Sequence, residues 1–273
     1  MVKSSSAARD ELSRRGFLAI GVASLAAFPA AASAIPPSEW LQYEARLRAR
    51  LSDAGGGVFA RDLAEALLDL SNAARDDVGA PPCAWSSELA LTASAHAADL
   101  AQRRYISHVS PEGFHPSHRV GVLARRMIGA ASENIAYRRG PETPTAEAMM
   151  AIWRRSPPHW SNLLDPAHSH AGFGVATDGE HTYAVALYGR PNGELGAPVP
   201  FRLTGEADLA RAVLRASPHF DGFSLAPPGD ARGWGSAAGS GRDLRPGVYQ
   251  LRPERRVDAR RYEVLWGPIF VKV

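Results

Sequence analysis

The chain has 273 residues, 45% hydrophobic and 22% charged, a make-up that belongs to a folded globular protein and excludes wholesale disorder. Its sequence pI of about 9.2 hints at nucleic acid. Residues 1–34, however, hold four basic side chains against two acidic ones, so without them the net charge falls from +3 to +1, too little for a duplex-binding footprint. The remaining charge is uneven: residues 201–273 carry 12 basic and 8 acidic side chains, against 15 and 18 in residues 35–200. Cys83 stands alone and cannot form an internal disulfide, so it is expected to be a small buried hydrophobe.

The N-terminus reads as an export segment. Ser13-Arg14-Arg15-Gly16-Phe17-Leu18 precedes an apolar run ending at Phe28, and Ala32-Ser33-Ala34 supplies a cleavage pattern. The run is too short to span a bilayer, which takes about 20 residues. The arginine pair resembles the twin-arginine address, which implies a periplasmic or secreted protein with no transmembrane segment after processing.

Residues 35–57 read as a spacer with an amphipathic patch from Trp40 to Leu51 and a break at Gly55-Gly56-Gly57. Phe59, Leu63, Leu67, Leu70 and Ala74 then form the stripe of a helix that Gly79 and Pro81-Pro82 stop. A second helix follows Ser86-Ser87, with Leu89, Ala93, His96, Ala97 and Leu100 on one side. A third is expected from Thr143 as cap and Pro144 as first residue, ending at Ser156-Pro157. Strands are expected at 132–137, 172–176 and 181–188, the last two around the Asp178-Gly179 turn. Residues 191–200, with three prolines, read as a linker. Residues 201–273 read as a separable extension with one helix at 206–215 and strands at 248–251, 262–266 and 269–273. Helices first and an antiparallel sheet afterwards indicate an α+β fold.

Four segments carry the chemistry: Ser107-His108-Val109-Ser110-Pro111-Glu112-Gly113, Glu133-Asn134-Ile135-Ala136, Ser156-Pro157-Pro158-His159-Trp160-Ser161-Asn162-Leu163-Leu164, and Ala171-Gly172-Phe173-Gly174. With Asn72 to Arg75 and Trp85 ahead of them, their order and spacing resemble bacterial members of the CAP superfamily, also called SCP. The resemblance covers residues 58–190 and implies a three-layer α-β-α sandwich; the small β-rich C-terminal extension lies outside it and is read from its strand pattern alone. The resemblance further implies a cleft lined by His108, His159 and Glu133, which in that family sometimes holds zinc or another divalent metal. The family's second glutamate corresponds to Ser156, so the ligand set is short by one.

From the residues alone three roles stay open. The trio can be a polar network that pins loops, a metal site of two imidazoles and a carboxylate, or a general-base pair in which Glu133 orients a histidine. His96 is expected to be a core histidine, His115 and His118 to rim the cleft, and His168 and His170 to lie in a solvated turn. Asn134 should face the opposite side of its strand from Glu133. No serine sits in a nucleophile elbow. The functional expectation is an exported envelope or extracellular protein that binds a small ligand, a metal or cell-envelope material. The alternative is a metal-dependent hydrolase of an extracellular peptide or polymer. Replacing Arg14 and Arg15 together by lysine is expected to hold the precursor in the cytoplasm. Fractionation followed by immunoblotting checks this, and normal export of the double variant would assign the general pathway.

Overall fold

In the computed structural model, which describes residues 35–52, 58–205, 207–229, 234–236 and 244–273, Ser86 caps the helix on which the fold is built. The export segment and the triple glycine lie outside the described residues. The Ser86 hydroxyl accepts the Leu89 N–H, and helix α3 (Ser87–Arg103) runs on from there with an alanine-rich buried face. That face lies against strand β5 (His170–Asp178). A Cβ added at Gly172 would sit 2.1 Å from the Ala90 nitrogen, and one at Gly174 would sit 2.2 Å from the Ser94 nitrogen. The Gly-x-Gly motif therefore exists because helix backbone rests directly on strand backbone.

β5 belongs to a sheet with the order β1 (Val58–Phe59), β5, β6 (His181–Gly189), β4 (Ala131–Arg139), in which each neighbouring pair is antiparallel; β2 (Ala84–Trp85) pairs parallel to β5. Gly179, at φ +59°, turns β5 into β6. Alternation then sorts the side chains. Phe173, Val175 and Tyr188 face Leu67, Met149, Trp153 and Leu163 from α2 (Arg61–Asp76), α5 (Ala146–Arg154) and α6 (Pro157–Leu164). Tyr183, Val185, Leu187 and Ile135 face α3 and α4 (Pro116–Leu123). This is the expected α-β-α sandwich. The helix at α5 begins two residues later than read, because Thr145 and not Thr143 accepts the capping N–H, from Ala148. Helices α4 and α6 were not foreseen: Pro116 and Pro157 start them, whereas Ser156-Pro157 reads as a stop.

Both flanking segments differ from expectation. The supposed spacer contains helix α1 (Pro37–Leu51), whose Trp40, Tyr43 and Leu47 are buried and whose Tyr43 ring stacks on Phe114 at 3.8 Å. The supposed linker is fixed as well. Leu195 and Val199 are buried, and β7 (Gly193–Glu194) pairs with β3 (Met127–Ile128). The buried Arg125 guanidinium donates to the carbonyls of Gly121, Val122, Val199 and Ile269.

Beyond it, α7 (Ala207–Leu214) accompanies a second sheet. Its order is β10 (Trp234–Ser236), β9 (Gly222–Ala226), β11 (Gly247–Arg256), β13 (Ile269–Lys272), β8 (Arg202–Leu203), with β12 (Tyr262–Val264) also on β11. Trp40, Tyr43 and Leu47 of α1 share one core with Phe114, Val122, Phe201, Ile269 and Val271. Residues 35–273 thus make one compact unit, and the extension completes the core that α4 begins. Gly174→Ala should lower the unfolding free energy by about 3 kcal/mol, the upper range of overpacking, because the α3 backbone cannot yield to the new Cβ. A denaturant midpoint close to wild type would show that the helix can lift from the strand.

Candidate functional site

Two adjacent residues of the edge strand β4 organise the site from opposite faces of the sheet. Glu133 points with Ile135 towards α3 and α4, and Asn134 points with Ala136 towards α5 and α6. On the first face Arg119 Nη2 of α4 donates to both Glu133 oxygens, at 3.0 and 2.8 Å, and to the His108 carbonyl at 2.8 Å. His108 Nδ1 lies 2.9 Å from Glu133 Oε1. An ionised carboxylate accepts only, so Nδ1 carries the proton and the lone pair is on Nε2. The loop holding His108 is shaped by Ser110, whose hydroxyl accepts the Phe114 N–H, and by Gly113 at φ +89°. On the second face Asn134 Nδ2 donates to the His159 carbonyl at 2.8 Å, and its Oδ1 accepts from Asn162 at 2.9 Å. The His108 and His159 ring centroids come within 6.4 Å of each other across the strand edge.

The electrostatics follow from burial. The Arg119 side chain is 0% exposed and that of Glu133 2%, while His108 is 49% exposed. Burial works to raise the Glu133 carboxyl, but Arg119 and the His108 donor outweigh it and hold the group below the usual carboxylate range. His96 lies behind them, with Nε2 3.2 Å from the Ser107 carbonyl and 3.8 Å from Glu133 Oε1. Burial, reinforced by Arg119, pushes its pKa down to about 3. Burial and the neighbouring His108 also lower His159, whose buried Nδ1 has no hydrogen-bond partner among the described residues.

The three expected site residues are together, and His96 is buried as expected. His118 is not on this rim: its Nδ1 accepts the His115 N–H, and its ring lines a separate cavity of about 270 Å³ with Gln250 and Trp266. His168 is no solvated turn, since its ring stacks on Tyr188 and its Nε2 meets Ser132 and Asn162. Arg119 is the residue that sequence reasoning missed. An arginine between the helical apolar residues of Pro116–Leu123 demands a buried acid, but α4 itself was not foreseen.

For a metal, the donor set amounts to two imidazoles. Glu133 already has its charge compensated by Arg119, and among the described residues no three His, Cys, Asp or Glu side chains are arranged to hold an ion. The two histidine nitrogens fit a labile ion whose other positions come from water or a ligand, not a closed structural site.

Residues 68–188 match the family model of the cysteine-rich secretory protein family, CAP. This stretch is a CAP domain. The match lies inside the 58–190 range expected for it. Among curated proteins, the uncharacterised protein YkwD of Bacillus subtilis is 30% identical over 116 residues, 41% of this chain and 42% of that protein. The uncharacterised membrane protein YlbC of the same organism is 32% identical over 117 residues, 40% of this chain and 30% of that one. The aligned CAP region thus spans less than half the length of these curated relatives. Among solved structures, an extracellular SCP-domain protein of Bacillus anthracis matches at 24% identity and a TM-score of 0.39, covering 46% of this chain and 40% of that one. An outer surface protein of Borrelia burgdorferi matches at 18% identity and a TM-score of 0.44, covering 50% of this chain and 99% of that one.

The CAP domain of this chain also carries a stability signature. Burial, with His115 adding to it, lowers His118 to about 4, and His96 falls to about 3, both from an ordinary 6.5. Between those values and 6.5 the unfolded chain binds protons that the folded chain refuses, so stability rises with pH there. It should be fully present above about pH 6.5 and drain away as pH falls towards 4 and then 3. Urea midpoints measured from pH 7 to pH 4 should fall for wild type and fall less for His118→Phe. A flat profile would mean that these rings protonate without resistance in the fold.

Proposed function

We propose that the CAP domain is the ligand-binding part of an exported cell-envelope or extracellular protein, and that His108 and His159 are its two principal contacts. The supporting observation is their placement: two imidazoles held from opposite layers, 6.4 Å apart at the ring centroids, with the His108 Nε2 lone pair left open by the Glu133 hydrogen bond to Nδ1. Glu133 is then an orienting group, and Arg119 keeps it ionised and in place. A divalent metal such as zinc would be held by His108 Nε2 and a His159 nitrogen, and when bound it would supply Lewis acidity and a more acidic water. Export by the twin-arginine route belongs to the same reading and rests on Arg14-Arg15.

Titration calorimetry with zinc chloride tests the site. Wild type should bind, His108→Ala and His159→Ala should each abolish the signal, and Glu133→Gln should weaken it by roughly 10- to 100-fold through loss of the oriented tautomer. Circular dichroism on each variant separates lost binding from lost fold. Zinc binding that survives His108→Ala would overturn the assignment. Hydrolysis of an envelope peptide or polymer that depends on zinc and on both histidines would favour the hydrolase alternative.

A further inference from the structure

The basic bias of residues 201–273 has a structural focus at the tip of the β11–β12 hairpin. Residues 256–262 are all exposed, with Val257 at 58% and Tyr262 at 47% among the most open large apolar side chains described. The tip is preformed. Asp258 Oδ1 accepts the N–H groups of Arg260 and Arg261 at 2.9 and 3.0 Å, its Oδ2 takes Arg261 Nε at 2.6 Å, and the Val257 N–H closes onto the Arg261 carbonyl. The Arg256 guanidinium lies over the Tyr262 ring at 5.4 Å and donates to its hydroxyl. Just below, Arg255 is paired with Glu263. The tip therefore presents Arg256, Arg260 and Arg261 against Asp258, which is turned inward onto Arg261, and Asp221, which accepts the Arg256 N–H at the strand end, and so stays net basic by one charge.

We propose that this tip docks on an anionic phospholipid surface, with Val257 and Tyr262 entering the headgroup region and the three arginines meeting lipid phosphates. The charge complements such a surface. The combination with exposed apolar side chains favours lipid over a soluble polyanion. Guanidinium groups alone would serve a polyanion, whereas Val257 gains only from an apolar medium, and tyrosine suits an interface that is apolar on one side and wet on the other. Arginine stems can lie along the apolar boundary while their heads stay at the phosphates.

The test uses the full chain carrying Val257→Cys, labelled with an environment-sensitive fluorophore, since Cys83 is buried. Vesicles of mixed phosphatidylglycerol and phosphatidylcholine should shift the emission to the blue, and pure phosphatidylcholine should not. The same label at Val78→Cys, exposed on the CAP domain, should not respond. Because the label reports from the tip, association through the apolar run before Phe28 does not register. Arg256→Ser with Arg260→Ser should weaken the vesicle response at least about tenfold, and Val257→Asp should weaken co-sedimentation of unlabelled protein. No shift on anionic vesicles would overturn the proposal. An equal shift on adding polyphosphate would also overturn it, by making a soluble polyanion the partner.

Discussion

Two charges without access to water face each other behind His108, and the site depends on their meeting. Alone, either the Arg119 guanidinium or the Glu133 carboxylate would leave an unpaired buried charge, a defect of about 3–5 kcal/mol. Together they satisfy each other, and the surplus hydrogen bonds do the positioning. Arg119 also holds the His108 carbonyl, and Glu133 holds the His108 ring. One ion pair thus fixes the backbone, the ring plane and the tautomer of a half-exposed histidine. It also joins α4 to β4, so the loop that carries His108 cannot drift from the strand edge.

The parts of the chain outside the matched CAP region act on the same loop. Arg46 of α1 contacts Glu112 at 2.8 Å, and Arg46 and Arg50 both reach the buried Asp99 of α3. Glu112 lies between His108 and Gly113, so α1 braces the His108 loop from outside while Arg119 braces it from within. The second sheet closes over α1 and α4 through Phe201, Ile269 and Val271. The CAP domain in this chain is therefore supported on its α3–α4 side by elements that its motifs do not include.

How much of this was legible in the sequence depends on whether a residue's partner lay nearby. The Gly-x-Gly strand, the helix after Ser86-Ser87 and the Asp178-Gly179 turn follow local rules and were readable. So were His108, Glu133 and His159, whose surrounding motifs resemble a known family. Helices α4 and α6 were not: each has only eight residues, and a proline at the first position looks like a break until the preceding residue is known to be extended. Arg119 went unseen with α4, and with it the reason Glu133 is not free to ligate. The spacer and linker readings failed for a different cause. Trp40, Tyr43, Leu195 and Val199 are visibly apolar, but their partners lie in α4 and the second sheet, and no local pattern announces contacts that distant in sequence.

The placement of the two histidines has a mechanical consequence. His108 belongs to the α3–α4 layer and His159 to α6 in the opposite layer, and they approach each other around the free edge of β4. Any sliding of one helical layer over the sheet changes the gap between the rings. The pair works as a caliper set across the thickness of the sandwich. Whatever bridges it rivets the layers together, and whatever strains the layers apart loosens its grip.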